Sequence, residues 1–355
     1  MTSLFKEKNH YSIRALLFER YFSSQKMNNN VHFAYIQDPL KRGFTIQSAN
    51  TDNTQSLNYF PPNLFRGQNF YYEDCKPSIA RYSDDFVLFK KLCQRVSFEI
   101  AIDDHPKVKF SHCNLDNKFE PGVPFIFDKV ALSQHYGFPT DLIDFSSSPN
   151  VAAFFATNRS DSGQTNFIPI DANKSKGYLY VFNNELFIID ETSGCFCPQE
   201  LPIRSVGWQV FYRPDIQRSF VLKIKPQENL NEFDYVNCIE FQQKGFISRK
   251  YSKDFQEGKL LLEEDIDLRN LISIVNSEQF EFTNREVNSA YNLAEPWLKN
   301  SSLTKEKLIK GSRIKVNNNR TKFRWWCEID EDSLKKWFFS ELPDLHTILC
   351  KDEYN

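Results

Sequence analysis

His135, Asp144 and the run Ser146-Ser147-Ser148 put an imidazole, a carboxylate and three hydroxyls into one short stretch of chain. Those are the residue types of proton transfer and of nucleophilic hydroxyl chemistry. Hydrolysis at one of these serines is the least favoured use. A serine nucleophile is normally held on a strained strand-to-helix elbow, and no such pattern surrounds any of the three. Tyr136, Thr140 and Gln134 add further polar groups. Each residue also has a purely structural use. Thr140 and Ser146 can bond turn backbone, Asp144 can cap a turn, and His135-Tyr136 can satisfy buried backbone groups.

The elements around this stretch can be read from its punctuation. Gly137 and Pro139 stop the chain just after an apolar run from Phe125 to Leu132, as a helix C-terminus requires. Ser148 followed by Pro149 reads as a helix N-cap and first helical position, and Val151, Ala152, Phe155 and Ala156 give the helix a small-residue face. The polar residues therefore sit on a helix-strand-helix link, and a rigid scaffold that presents such a link is where sites tend to be built. Upstream, Leu64 to Gln68 reads as a short strand ending in a turn. Asp84 or Asp85 caps an amphipathic helix carrying Phe86, Phe89, Leu92, Cys93 and Val96.

Downstream, Gly177 to Phe182 and Ser219 to Ile224 have strand length and composition. Cys238 to Phe241 and Gly245 to Ile247 read as a further strand pair. Near the N-terminus, Ser12 to Phe22 reads as a helix and Gln47 to Asn58 as loop. Helices and strands alternate without a regular βαβ beat, which favours an α+β fold.

The chain has 355 residues, enough for one large domain or two moderate ones. Lys+Arg 44 against Asp+Glu 46 gives no global electrostatic reason for a nucleic-acid or membrane partner, though local patches can differ. Its 34 Phe imply a dense aromatic core. No apolar run reaches the length of a transmembrane helix, and Met1 to His10 lacks the apolar core of a secretory signal. The eight Cys show neither zinc spacing nor a small-scaffold disulfide pattern. Reduced thiols, a cytoplasmic location, and no metal or membrane are the expectations. From about Leu268 helical patterns dominate. Lys305, Lys307, Lys310, Arg313, Lys315, Arg320, Lys322 and Arg324 then lead into Trp325-Trp326. Interleaved cations and aromatics can track a phosphate backbone and stack bases; a solvated loop beside a buried Trp pair is the bland alternative.

Two segments together resemble the FRG family, named for its Phe-Arg-Gly signature. One is Phe65-Arg66-Gly67-Gln68, followed by Arg81. The other runs from Gln134-His135-Tyr136-Gly137 through Pro139-Thr140 and Leu142-Ile143-Asp144 to Ala152–Ala156. A looser third match is Arg213 to Phe220, with Gln217 four residues after Arg213 and Ser219 where the family shows Gly. The resemblance spans about Tyr59 to Ile224. It implies an N-terminal extension (1–58), an FRG domain (59–267) and a basic, Trp-containing C-terminal region (268–355).

In layout the FRG family resembles a divergent ADP-ribosyltransferase, which implies a split mixed β-sheet core with helices and NAD as substrate. On that resemblance Arg66, Gly67, Gln68, Arg81, Gln134, Tyr136, Thr140 and Ser146 hold NAD. Arg offers a planar fork to pyrophosphate oxygens. Cleaving the nicotinamide–ribose bond builds oxocarbenium character, so acceptors aimed at the ribose lower the barrier. His135 and Asp144 are assigned to the ribose, and Tyr136 to the nicotinamide face with Tyr71 or Tyr72 in reserve. Gln217 can hydrogen-bond the ribose but carries no charge, so the catalytic carboxylate falls to Asp144 or Glu240. The implied protein is a toxin or antiphage-defence effector with an RNA, DNA or protein acceptor and an inhibitor protein as partner. A non-catalytic FRG module that binds a nucleotide or nucleic acid is the alternative. Either way, Arg66 and the corner from 135 to 146 are expected to converge on a single dinucleotide-sized hollow.

Overall fold

A computed structural model describes residues 45–47, 56–58, 63–109, 128–160, 167–171, 175–183, 203–206, 211–263 and 265–325. The helix expected at Ser12 to Phe22 and Trp326 lie outside them. Short strands β1 (Thr45–Gln47) and β2 (Ser56–Asn58) pair antiparallel. They replace both ends of the stretch read as loop, because ladder pairing overrides its polar composition.

The centre is a six-stranded sheet in the order β10-β7-β3-β4-β9-β8. Its strands are β3 (Asn63–Gln68), β4 (Leu142–Ser146), β7 (Lys176–Asn183), β8 (Ile203–Ser205), β9 (Ser219–Lys223) and β10 (Val236–Gln242). β5 (Asn158–Ser160) and β6 (Phe167–Pro169) form a separate hairpin. Every pairing in the central sheet is antiparallel. The expected mixed sheet is corrected accordingly, while the coarser α+β class stands.

Alternation along the strands sorts side chains to two faces. Leu64, Phe145, Tyr180, Phe182, Phe220 and Leu222 share one buried cluster. Phe65, Leu179, Val181 and Phe241 share another with the helix α3 (Pro149–Thr157). Helix α1 (Asp85–Asp103) starts at Asp84, whose side chain accepts from the Phe86 and Val87 amides. Helix α2 (Lys129–His135) ends at Tyr136, with Gly137 beyond it at φ 84°, the left-handed turn that glycine tolerates best. Ser148 caps α3 and Pro149 opens it. Short α4 (Tyr212–Ile216) precedes β9.

Gly245–Asp254 is helix α5, not the second strand of a pair. Ile247, Ser248, Tyr251 and Ser252 are its buried residues, the stripe of a helix, which a three-residue window could not reveal. Then follow α6 (Lys259–Leu262), α7 (Ile266–Val275), α8 (Asn284–Ala294) and α9 (Lys305–Gly311). Short strands β11 (Glu281–Phe282) and β12 (Lys315–Val316) pair in parallel beside them.

α7 runs across the boundary drawn at 267. Beyond it, Phe282, Val287, Ala290 and Leu308 share one core with Leu88, Phe89, Leu92 and Val96 of α1. His105 is fully buried, with Nε2 2.6 Å from Asp267 and Nδ1 accepting from the Lys107 amide. Nε2 is therefore the donor. Its ring meets Trp325, whose indole N–H donates to the Ala101 carbonyl.

Candidate active site

β3 and β4 pair through Phe65 opposite Ser146. Continuing that antiparallel register would set Gly67 opposite Asp144, but the ladder does not continue and the sheet opens there. Arg66 fills the lost contact: its Nη1 donates to the Asp144 carbonyl at 2.9 Å. With its amide oxygen turned toward the guanidinium, Gln68 accepts from Arg66 Nε and Nη2 at 3.2 and 3.3 Å. Gly67 has a different task. A Cβ there would lie 1.7 Å from the Ala152 carbonyl oxygen, so only glycine lets α3 lie against β3. The three signature residues thus serve three places: Phe65 the helix-covered core, Arg66 the open seam, Gly67 the helix contact.

Asp144 is where the elements meet. Its backbone holds Arg66, and its carboxylate, on the other side of the strand, faces His135 at the end of α2. His135 Nε2 and Asp144 Oδ1 are 4.0 Å apart, too far for a direct hydrogen bond. Both atoms are buried and lack a hydrogen-bond partner among the described residues. Burial lowers the His135 pKa below 6.5; the Asp144 carboxylate opposes the shift, Arg213 adds to it and Gln217 opposes it. The ring is therefore neutral at pH 7 and the contact is not an ion pair.

Gln217 borders this pair. Its side-chain amide nitrogen donates to the Leu261 carbonyl at 2.7 Å, and its main-chain carbonyl accepts from Ser146 Oγ at 2.7 Å. The left-handed residue of this segment is Arg218 (φ 48°), so Ser219 takes ordinary strand geometry in β9. Tyr136 is buried, with the Arg213 guanidinium 5.7 Å from its ring centre and Phe98 5.9 Å away. It is a packed wall rather than an open stacking face.

The other expected residues lie further out. Thr140 is fully buried and bonds Gln134 through its hydroxyl, while its backbone amide donates to Ser78 Oγ at 3.0 Å. Both shape the link. Arg81 is on the surface and donates to the Lys76 carbonyl at 3.2 Å. Glu240 sits on β10 opposite Tyr178, which itself lies opposite Gln68. Lys176 holds it at 2.7 Å, and Tyr178 OH donates to it at 3.4 Å. Tyr71 packs on Tyr178, whereas Tyr72 is half exposed and meets Phe70 edge-on.

Two residues given no role in the sequence reading position this site. Buried Arg95 of α1 pairs with Glu99 at 2.6 Å and donates to the Pro139 carbonyl at 3.1 Å, fixing the turn after α2. An Arg and a Glu one turn apart on the same helix were the available signal. Arg213 reaches Tyr136 only through the fold.

The model of the FRG domain family matches residues 62–165, from β3 through β5, and the chain carries an FRG domain there. No curated protein and no solved structure matches the chain. Among the described residues no cluster of His, Cys, Asp or Glu could hold a metal ion, and no helix is long and apolar enough to cross a membrane.

Proposed function

We propose that this chain is an NAD-dependent ADP-ribosyltransferase that modifies a macromolecule, working as a toxin or antiphage-defence effector restrained by an inhibitor protein. The observation that carries the reading is the meeting of Arg66, Asp144 and His135 at the seam where β3 and β4 part. The resemblance of the FRG family to ADP-ribosyltransferases implies a split sheet, and the parting of β3 from β4 supports that part of the layout, although every pairing here is antiparallel. The two buried, unsatisfied atoms 4.0 Å apart suit a ribose hydroxyl, which would donate to Asp144 and accept from the neutral His135.

In this reading Arg66 and Gln68 face the pyrophosphate, and Asp144 stabilises positive charge growing on the ribose. The C–N bond to nicotinamide breaks, and nicotinamide leaves neutral with the electron pair. A lone pair of the acceptor closes on the ribose carbon, and its proton passes to the Asp144–His135 pair.

The tests are direct. Purified protein is incubated with labelled NAD and total cellular RNA and protein, and free nicotinamide and transferred label are followed. Arg66→Ala is expected to lower NAD turnover at least ~100-fold, the cost of losing a charge-stabilising donor, while the protein stays folded. Unchanged turnover or toxicity in soluble Arg66→Ala protein would overturn the proposal.

Two observations favour a second reading, a binding module without chemistry. Gln217 gives its amide to Leu261, and Glu240 is neutralised by Lys176. NAD or a nucleotide bound but intact in the same incubation selects it.

A further inference from the structure

A cavity lies away from the seam, where α1 meets the C-terminal region. It measures about 920 Å³ and opens between the end of α1, one side of α7 and the chain from 320 to 324. That volume falls within the range of ligand pockets, roughly 300–1,000 Å³.

Its walls combine two chemistries. Ile100, Leu271, Ile274 and Val275 make an apolar side, and Ile274 is 45% exposed. The rings of Phe280 and Phe323 also line it, Phe323 braced edge-on by Trp325 at 4.6 Å. Around these stand cations. Arg320 lies 4.4 Å over the Phe280 ring and is committed to the buried carboxylate of Glu286. Exposed Arg285 and Arg324 have no hydrogen-bond or ion-pair partner among the described residues.

The carboxylates at this cavity are all engaged. Asp103 holds Lys129, Asp104 holds Lys109 and Lys322, and Glu281 accepts from Asn317. The uncommitted charge facing a ligand is positive. Planar apolar walls with free guanidinium groups suit a nucleotide, whose base stacks while its phosphate takes the fork.

The cations do not stop at the cavity. Arg313, Lys315, Lys307 and Lys310 continue, exposed, along the same stretch of chain. A free nucleotide would use only the pocket, whereas a strand would use pocket and track together.

We infer that this cleft binds a segment of single-stranded nucleic acid, RNA or DNA, seating an unpaired base between the Phe280 and Phe323 rings with Arg285 and Arg324 on its phosphates. A duplex presents a base to a pocket only at the added cost of unstacking and unpairing it. If the Asp144 site transfers ADP-ribose, as proposed above, this strand is its acceptor; that clause rests on the earlier reading, and the binding itself does not.

Fluorescence anisotropy of the full chain, without NAD, tests it with labelled single-stranded RNA, single-stranded DNA, duplex DNA and ATP. Either single strand is expected to bind in preference to duplex and ATP, and the preferred strand identifies the sugar. The double variant Arg285→Ala/Arg324→Ala should bind at least ~10-fold more weakly. Its slope of log affinity against log salt should be shallower by about 1.4, two phosphate contacts at roughly 0.7 each on a single strand. Ile274→Glu, at an exposed wall position, should weaken binding independently. Wild-type protein that binds no strand, prefers ATP or duplex, or binds equally well in these variants (thermal unfolding unchanged) overturns the inference. Strand binding is read without NAD and NAD turnover without strand, so failure of one leaves the other standing.

Discussion

At the scale of single residues, Asp144 and His135 hold the site's tension. Two buried polar atoms face each other without touching, and desolvation has kept the imidazole neutral. The consequence for stability has a definite sign. Below pH 6.5 the unfolded chain protonates this histidine while the folded one resists, so the unfolded state binds more protons and stability falls as pH falls. Wild-type protein should lose up to about 1.4 kcal/mol per pH unit from this group below 6.5, until its lowered folded pKa is reached. Urea midpoints at pH 7.5 and 5.5 should therefore differ more for wild type than for His135→Gln. An equal or smaller difference in wild type would show that the ring is not held neutral. His135 and Asp144 were legible in the sequence because Gly137, Pro139, Ser148 and Pro149 frame them. Gln217 could be named but not its bond to Leu261, nor the contact of Arg213 with Tyr136, because those are set by α6 and α2, remote in the chain.

At the scale of elements, the close approach of α3 to β3 decides whether the seam keeps its shape. Gly67→Ala sets a methyl group into the Ala152 carbonyl, and either the helix or the strand must yield. A loss of about 1–3 kcal/mol is expected, the usual cost of overpacking, measured by urea unfolding. Loss below ~0.5 kcal/mol would mean that the helix is not tightly seated. Helix starts at Asp84 and Ser148 could be read beforehand, since a cap is a local arrangement of neighbours. Strand β3 could be read for the same reason. The opening between β3 and β4 could not, because it is a relation between Phe65 and Ser146, far apart in the chain. Gly245 misled for a physical reason. Its place at the first turn of α5 is set by Asp171, whose carboxylate occupies the space of a Cβ and pairs with Arg249.

At the scale of the whole molecule, α1 serves two clients. Phe98 and Arg95 hold the turn that carries the site, while Leu88, Phe89, Leu92, Cys93 and Val96 form a core with the C-terminal helices. A fragment ending at 267 would also cut α7 and strand His105 without its full setting around Asp267 and Trp325. Fragment 59–267 is expected to express insoluble or to bind a hydrophobic dye, whereas a chain reaching 325 should not; comparing the two by dye fluorescence checks it. A soluble, cooperatively unfolding 59–267 fragment would show that α1 tolerates a bare flank. The double duty of this helix also bears on how the protein can be re-used. The signature segment is not a cassette that can be lifted out and fused elsewhere, because its scaffold is borrowed from chain that comes two hundred residues later in synthesis, on the order of ten seconds or more of translation. Until that stretch leaves the ribosome, α1 lacks the helices that cover its second face.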